Sequence, residues 1–145
     1  MQFTELFSKR VLVVEDDYLQ ASDVALTLEE QGSEVIGPYP DLESSLRNLE
    51  ATTVDLAVLD IRLGSCELVY DVADKLDQAR VPFVFTSGGN PNDIPDRFSS
   101  VRCLLKPFSL GQLAAELALL VAEKKERSDG NFPHGVPRAA TIPGK

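Results

Sequence analysis

Val54-Asp55-Leu56-Ala57-Val58-Leu59 is a nearly unbroken apolar run, and it ends on a carboxylate, Asp60. A run this short and this rich in branched residues reads as a strand buried on both faces rather than as a buried helix. Three other apolar runs end on polar residues in the same way. Val11-Leu12-Val13-Val14 leads into Glu15-Asp16-Asp17, Phe83-Val84-Phe85 into Thr86-Ser87-Gly88, and Leu104-Leu105 into Lys106-Pro107. In an open parallel sheet the carboxyl ends of the strands share one edge, so these polar groups are expected to meet in one crevice.

The rest of the chain alternates in step with these runs. Strands are expected to begin near Val11, Glu34, Val54, Val81 and Arg102. Between them, Ala21, Val24, Ala25 and Leu28 fall on one helical face, as do Val69, Val72, Ala73 and Leu76. The last helix carries Leu110, Leu113, Ala114 and Leu117, continued by Leu120 and Val121, behind a capping box of Ser109 and Gln112. Asp17 opens the first helix and Gly32 stops it. Asp41 caps a second helix that runs to about Glu50. Five strands alternating with helices predict a doubly wound α/β domain over residues 9–123. Gly88-Gly89-Asn90-Pro91-Asn92-Asp93-Ile94-Pro95 cannot build a long regular helix, so the fourth crossover is read as loop with at most a short helix near residues 93–98. Residues 1–8 form an N-terminal extension whose Phe3, Leu6 and Phe7 line one turn that packs on the chain's own body. Residues 124–145 hold the end of the last helix and a Pro- and Gly-rich flexible tail, which includes the chain's one histidine, His134. A catalytic histidine needs a rigid setting, so none is assigned there.

At 145 residues and 43% apolar, the chain is one domain with a real core. Its formal charge is −9, while residues 124–145 carry five basic and two acidic residues, which leaves −12 for residues 1–123. A body this acidic repels a phosphate backbone and argues against nucleic acid as a direct partner. The start of the chain lacks the pattern of a secretory signal, and no apolar run approaches a membrane span, so a cytoplasmic protein with no membrane insertion is expected. Cys66 and Cys103 have no metal-ligand spacing and read as free, buried thiols of a reducing compartment.

The polar residues behind the strands suit a divalent cation and a phosphoryl group. Neighbouring carboxylates repel unless a cation or a proton relieves them. Asp16 and Asp60 each offer an oxygen to Mg²⁺ (or Mn²⁺), with Glu15 acting directly or through water. Asp17 is better used as a helix cap. Lys106 offsets carboxylate charge and holds a phosphoryl oxygen as a point charge. Its bond to Pro107 is a candidate cis peptide. The hydroxyl of Ser87 can donate to a phosphoryl oxygen. Asp60 is then the nucleophile that forms an acyl phosphate. No glycine-rich nucleotide loop is present. Asp60-Ile61-Arg62 also lacks the second aspartate that serves as general acid in aspartate-nucleophile phosphatases, which weakens that alternative.

Taken together, the chain resembles the receiver domain of two-component response regulators over about residues 9–123. Val-Leu-Val-Val-Glu-Asp-Asp is similar to the family's first strand and acid pair, Glu15 and Asp16. Val-Leu-Asp-Ile-Arg-Leu-Gly is similar to the phosphoacceptor loop, with Asp60 as acceptor, and Leu-Leu-Lys-Pro-Phe to the segment of the invariant lysine, Lys106. Pro82-Phe83-Val84-Phe85-Thr86-Ser87-Gly88-Gly89 resembles the Pro-Phe-x-Phe-Ala-Thr-Gly motif of the single-domain "FAT GUY" regulators, as do Ile94-Pro95-Asp96-Arg97-Phe98 and the Leu-Gly-x-x-Glu after the acceptor. That register makes Ser87 the switch hydroxyl, with Thr86 the runner-up. Cys103 stands where many receivers carry an aromatic residue, and Gly64 where many have proline.

The resemblance implies a flavodoxin-like five-stranded sheet in the order 2-1-3-4-5 and a shortened fourth helix. It implies a stand-alone bacterial signalling protein, not an enzyme. Asp60 would accept phosphate from a sensor histidine kinase or histidine phosphotransfer protein, and a downstream protein would read the result. Mg²⁺ would be held by Glu15, Asp16, Asp60 and the backbone carbonyl of Arg62. A phosphorylation-independent interaction module of the same shape is the rival reading.

Overall fold

The computed structural model describes residues 2–89 and 94–128. The strands of the main sheet are β1 (Arg10–Val14), β2 (Glu34–Tyr39), β3 (Leu56–Asp60), β6 (Phe83–Ser87) and β7 (Cys103–Leu105). They lie in the order β2-β1-β3-β6-β7, and every pairing is parallel. Counting only these five, the order is the expected 2-1-3-4-5. Between them run α1 (Tyr18–Glu30), α2 (Leu42–Ala51), α3 (Tyr70–Gln78) and α4 (Leu110–Ser128).

Alternation along each strand divides the core into two layers. Val11 and Val13 of β1, with Leu56 and Val58 of β3, face Val24 and Leu28 of α1 and Leu113 and Leu117 of α4. Leu12 and Val14, with Ala57 and Leu59, face Val72 and Leu76 of α3 and the aromatic residues Phe83, Phe85 and Phe98. Covering both faces explains why these strands read as continuous apolar runs. Leu6, in a 3-10 turn at Thr4–Leu6, is fully buried in the α1–α4 layer, and Phe3 packs beside it.

The helix ends follow the expected caps. Asp17 accepts a hydrogen bond from the Gln20 N–H at 3.1 Å, and Asp41 one from the Ser44 N–H at 2.7 Å. Ser109 supplies its half of the capping box, accepting from the Gln112 N–H at 3.0 Å. After α1, the Gly32 N–H donates to the Glu29 carbonyl and the Ser33 N–H to the Leu28 carbonyl, a Schellman closure. Gly32 has φ +86°, and a Cβ there would lie 2.5 Å from Cδ1 of Phe7. At the other end of the sheet, the buried Arg102 pairs with Glu116 and Glu123 of α4, each at 2.9 Å, and so fixes the start of β7.

Several sequence expectations shift. β3, β6 and β7 begin one or two residues later than read. Asp55 spends its side chain on the Arg10 N–H (2.9 Å) ahead of β3, and Pro82 has no N–H to give a ladder ahead of β6. A two-stranded antiparallel hairpin, β4 (Arg62–Leu63) and β5 (Glu67–Leu68), follows β3 and was not foreseen, because strands of two residues carry no period. Cys66 sits at its turn and is exposed, not buried; Cys103 is partly buried, and neither is in a disulfide. The fourth crossover holds a 3-10 turn at Asp96–Phe98. Residues 90–93, and the tail with His134, lie outside the described residues. Among the described residues, no helix is long and apolar enough to cross a membrane.

Gly32→Ala is expected to lower unfolding stability in urea by ~1–2 kcal/mol through its positive φ, and by more through the contact of the new Cβ with the Phe7 ring. In a Phe7→Ala background the loss is expected to shrink as the ring contact is removed.

Candidate functional site

Because β1, β3, β6 and β7 run parallel, their carboxyl ends deliver Glu15, Asp16, Asp60, Ser87 and Lys106 to one edge, where they line a single cavity. Backbone bonds fix the approach of each segment. The Glu15 N–H donates to the Tyr39 carbonyl at 3.0 Å, the Ile61 N–H to the Thr86 carbonyl at 3.0 Å, and the Lys106 N–H to the Ser87 carbonyl at 2.7 Å. The Lys106–Pro107 bond is cis.

Lys106 organises the centre. Its Nζ donates to Glu15 Oε1 at 3.1 Å and Oε2 at 3.4 Å, and to Asp60 Oδ2 at 3.2 Å. Glu15 and Asp60 are buried, whereas Asp16 is exposed. Glu15 also accepts from the Asp17 N–H at 3.1 Å, and Asp16 Oδ2 accepts from the Gly64 N–H at 2.8 Å. One carboxylate oxygen from each of Glu15, Asp16 and Asp60 lies within 4.8 Å of the others.

The electrostatics follow from burial and like charge. Burial, then Glu15, pushes the Asp60 carboxyl up to about 8, against the opposing pull of Lys106. Burial opposes the charged form of Lys106, but Asp60 and Glu15 outweigh it and hold the ammonium above the usual lysine range. Burial also opposes ionisation of Asp16, yet hydrogen bonds led by the Gly64 N–H hold its carboxyl below the usual carboxylate range. Were all three carboxylates ionised, the one ammonium would leave two negative charges, the charge that one divalent cation offsets; without a cation, the proton held on Asp60 relieves part of it. An all-oxygen, carboxylate donor set at this spacing fits a hard cation such as Mg²⁺ or Mn²⁺.

Ser87 lines the cavity, and its Oγ accepts from the Gly89 N–H at 3.0 Å. Thr86 is buried beside it, paired across the sheet with Asp60 and Leu104, and is not among the lining residues. Arg62 lies on β4, lines the same cavity and is exposed. Two contributors were not read from the sequence. Tyr70, at the start of α3, lines the cavity while its ring packs against Phe85 and Phe98. Gly64 contributes through its backbone, and the only sequence signal was its standing where proline is common in the family it resembles. Cys103 packs against the aromatic layer rather than into the cavity.

No family model matches the chain. It is 28% identical over 122 residues to the transcriptional regulatory protein PdtaR of Mycobacterium tuberculosis, covering 81% of this chain and 59% of that protein's length. The structure of SdrG from Sphingomonas melonis Fr1 matches with a TM-score of 0.69 and 31% identity, over 80% of this chain and 98% of that one. The signal receiver domain of a modulated diguanylate cyclase from Desulfovibrio desulfuricans G20 matches with a TM-score of 0.73 and 25% identity, over 83% of this chain and 98% of that one.

The raised Asp60 carboxyl holds its proton more tightly folded than unfolded. Its contribution to stability is therefore full at acid pH and lost as pH climbs from the ordinary value, 3.8, through about 8. Without divalent cation, Tm is expected to fall from about pH 5 to pH 8, and Asp60→Asn to flatten that fall and raise Tm at pH 8 by on the order of 4 °C. A pH slope unchanged by Asp60→Asn would contradict the assignment.

Proposed function

The chain belongs to the receiver-domain family of response regulators, and we propose that Asp60 is its phosphoacceptor, charged from a phosphohistidine of a sensor kinase or phosphotransfer protein in a Mg²⁺- or Mn²⁺-dependent reaction. The observation that carries this reading is the Lys106 ammonium held between Glu15 and Asp60, beside the third carboxylate of Asp16. Glu15, Asp16, Asp60 and the Arg62 carbonyl are the groups that would hold the cation. When bound, the cation supplies neutralisation of the acids and of the incoming phosphoryl oxygens.

The residues of the chain divide the remaining work. Lys106 engages Asp60 Oδ2, which leaves Oδ1 for the attack. The Asp60 oxygen–phosphorus bond forms as the phosphorus–nitrogen bond of the donor breaks, and the electron pair stays on the leaving imidazole, which takes up a proton. Lys106 then turns its charge on the transferred group, while the Ser87 hydroxyl donates to a phosphoryl oxygen. Thr86 is the second choice, since it is buried and outside the cavity lining.

Ser87 belongs to the segment that resembles the "FAT GUY" regulators, and this reading extends that likeness to the domain. Drawing Ser87 toward the phosphoryl group re-packs the loop after β6. That changes the surface a downstream protein meets, which is the output of the domain. The chain is a signalling phosphoacceptor of the bacterial cytoplasm in this account, not a turnover enzyme. The acidic body supports protein rather than nucleic-acid contacts.

Intact mass after treatment with acetyl phosphate and Mg²⁺ tests the reading. One added phosphoryl group is expected, lost in Asp60→Ala and strongly slowed in Lys106→Ala. No gain in the parent, or an equal gain in Asp60→Ala, would contradict it.

A further inference from the structure

Among the three acids, Asp16 is the exposed one. Glu15 is held by the Asp17 N–H and by Lys106, and Asp60 by Lys106. Asp16 is instead tied to the loop beyond β3, through the 2.8 Å hydrogen bond from the Gly64 N–H to Oδ2. That loop is anchored at several points. Leu63 is buried in the core, Arg62 pairs with Leu68 and Leu63 with Glu67, and the Val69 N–H closes on the Ile61 carbonyl at 2.9 Å. Glu67 Oε1 further accepts from the Leu42 N–H at 3.2 Å, at the start of α2.

We propose that the Gly64 backbone N–H is a positioning group for the cation site: it clamps Asp16 Oδ2 and turns Oδ1 toward Glu15 and Asp60, so that the hairpin after β3 sets the affinity for the cation. The inference rests on the reading above that these acids hold a divalent cation. Gly64 suits the task for two reasons. Its φ of +68° is open to glycine and strains most side chains, and a Cβ there would meet nothing within 4 Å. Proline has neither this φ nor the donor. Asparagine keeps the N–H and tolerates the left-handed region.

The test is calorimetric titration of the full chain with Mg²⁺ alone. Gly64→Pro is expected to weaken binding by ~10–100-fold, the usual cost of losing a group that orients a metal ligand. Gly64→Asn is expected to bind like the parent. Equal affinity in Gly64→Pro, or a loss in Gly64→Asn as large as in Gly64→Pro, would overturn the proposal. Should Gly64→Pro fail to fold, the Gly64 amide proton of the parent decides. It is expected to resonate downfield and to move upfield in Asp16→Ala, and a resonance indifferent to that change would overturn the proposal. A parent that binds no Mg²⁺ would instead sink the reading on which the proposal stands.

Discussion

One ammonium, that of Lys106, lies between two buried carboxylates, Glu15 and Asp60, at 3.1 and 3.2 Å. Without it, two ionised acids out of water would face each other, and the end of the sheet would repel itself. With it, the pair still lacks enough positive charge once Asp16 is counted. Part of that shortage is met by a proton, held on Asp60 by burial and by Glu15. In the proposed reading a divalent cation would take the place of that proton, and a phosphoryl group would then meet a neutralised pocket rather than a wall of carboxylates.

Everything else in the fold serves this meeting of residues distant in sequence. Parallel pairing puts the carboxyl ends of four strands on one edge. β1, β3 and β6 are packed on both faces, and the ion pairs of Arg102 with α4 hold the strand that leads into Lys106. The hairpin after β3 reaches back to Asp16, so the loop that carries Arg62 and Gly64 is joined to the acid pair. Tyr70 touches the cavity on one side and Phe98 of the fourth crossover on the other. The pocket and the 3-10 turn at Asp96–Phe98 thus share a packed aromatic neighbour.

Much of this was legible in the chain. Apolar runs closed by Glu15-Asp16, Asp60, Ser87 and Lys106 announced both the sheet and its working edge, because a strand covered on both faces has no polar alternation to confuse it. Asp17, Asp41 and Ser109 were legible as caps because their short side chains reach the next turn's N–H groups. The β4–β5 hairpin was not, since its two-residue strands leave no pattern. The use of the Gly64 N–H was hidden as well: a backbone donor has no side chain by which to declare itself. The exposure of Cys66 depends on that same hairpin. The choice of Ser87 over Thr86 came from the register of a resembled motif, and of the two Ser87 is the one that lines the cavity.

Titration of the lysine ammonium groups by ¹⁵N and ¹³C NMR, with no cation present, tests most directly whether Lys106 is held as described. Its signal is expected to titrate above the usual lysine range, and to move down toward that range in Asp60→Ala, where Glu15 remains its partner. A Lys106 that titrates within the usual lysine range in the parent, or is indifferent to Asp60→Ala, would contradict the account.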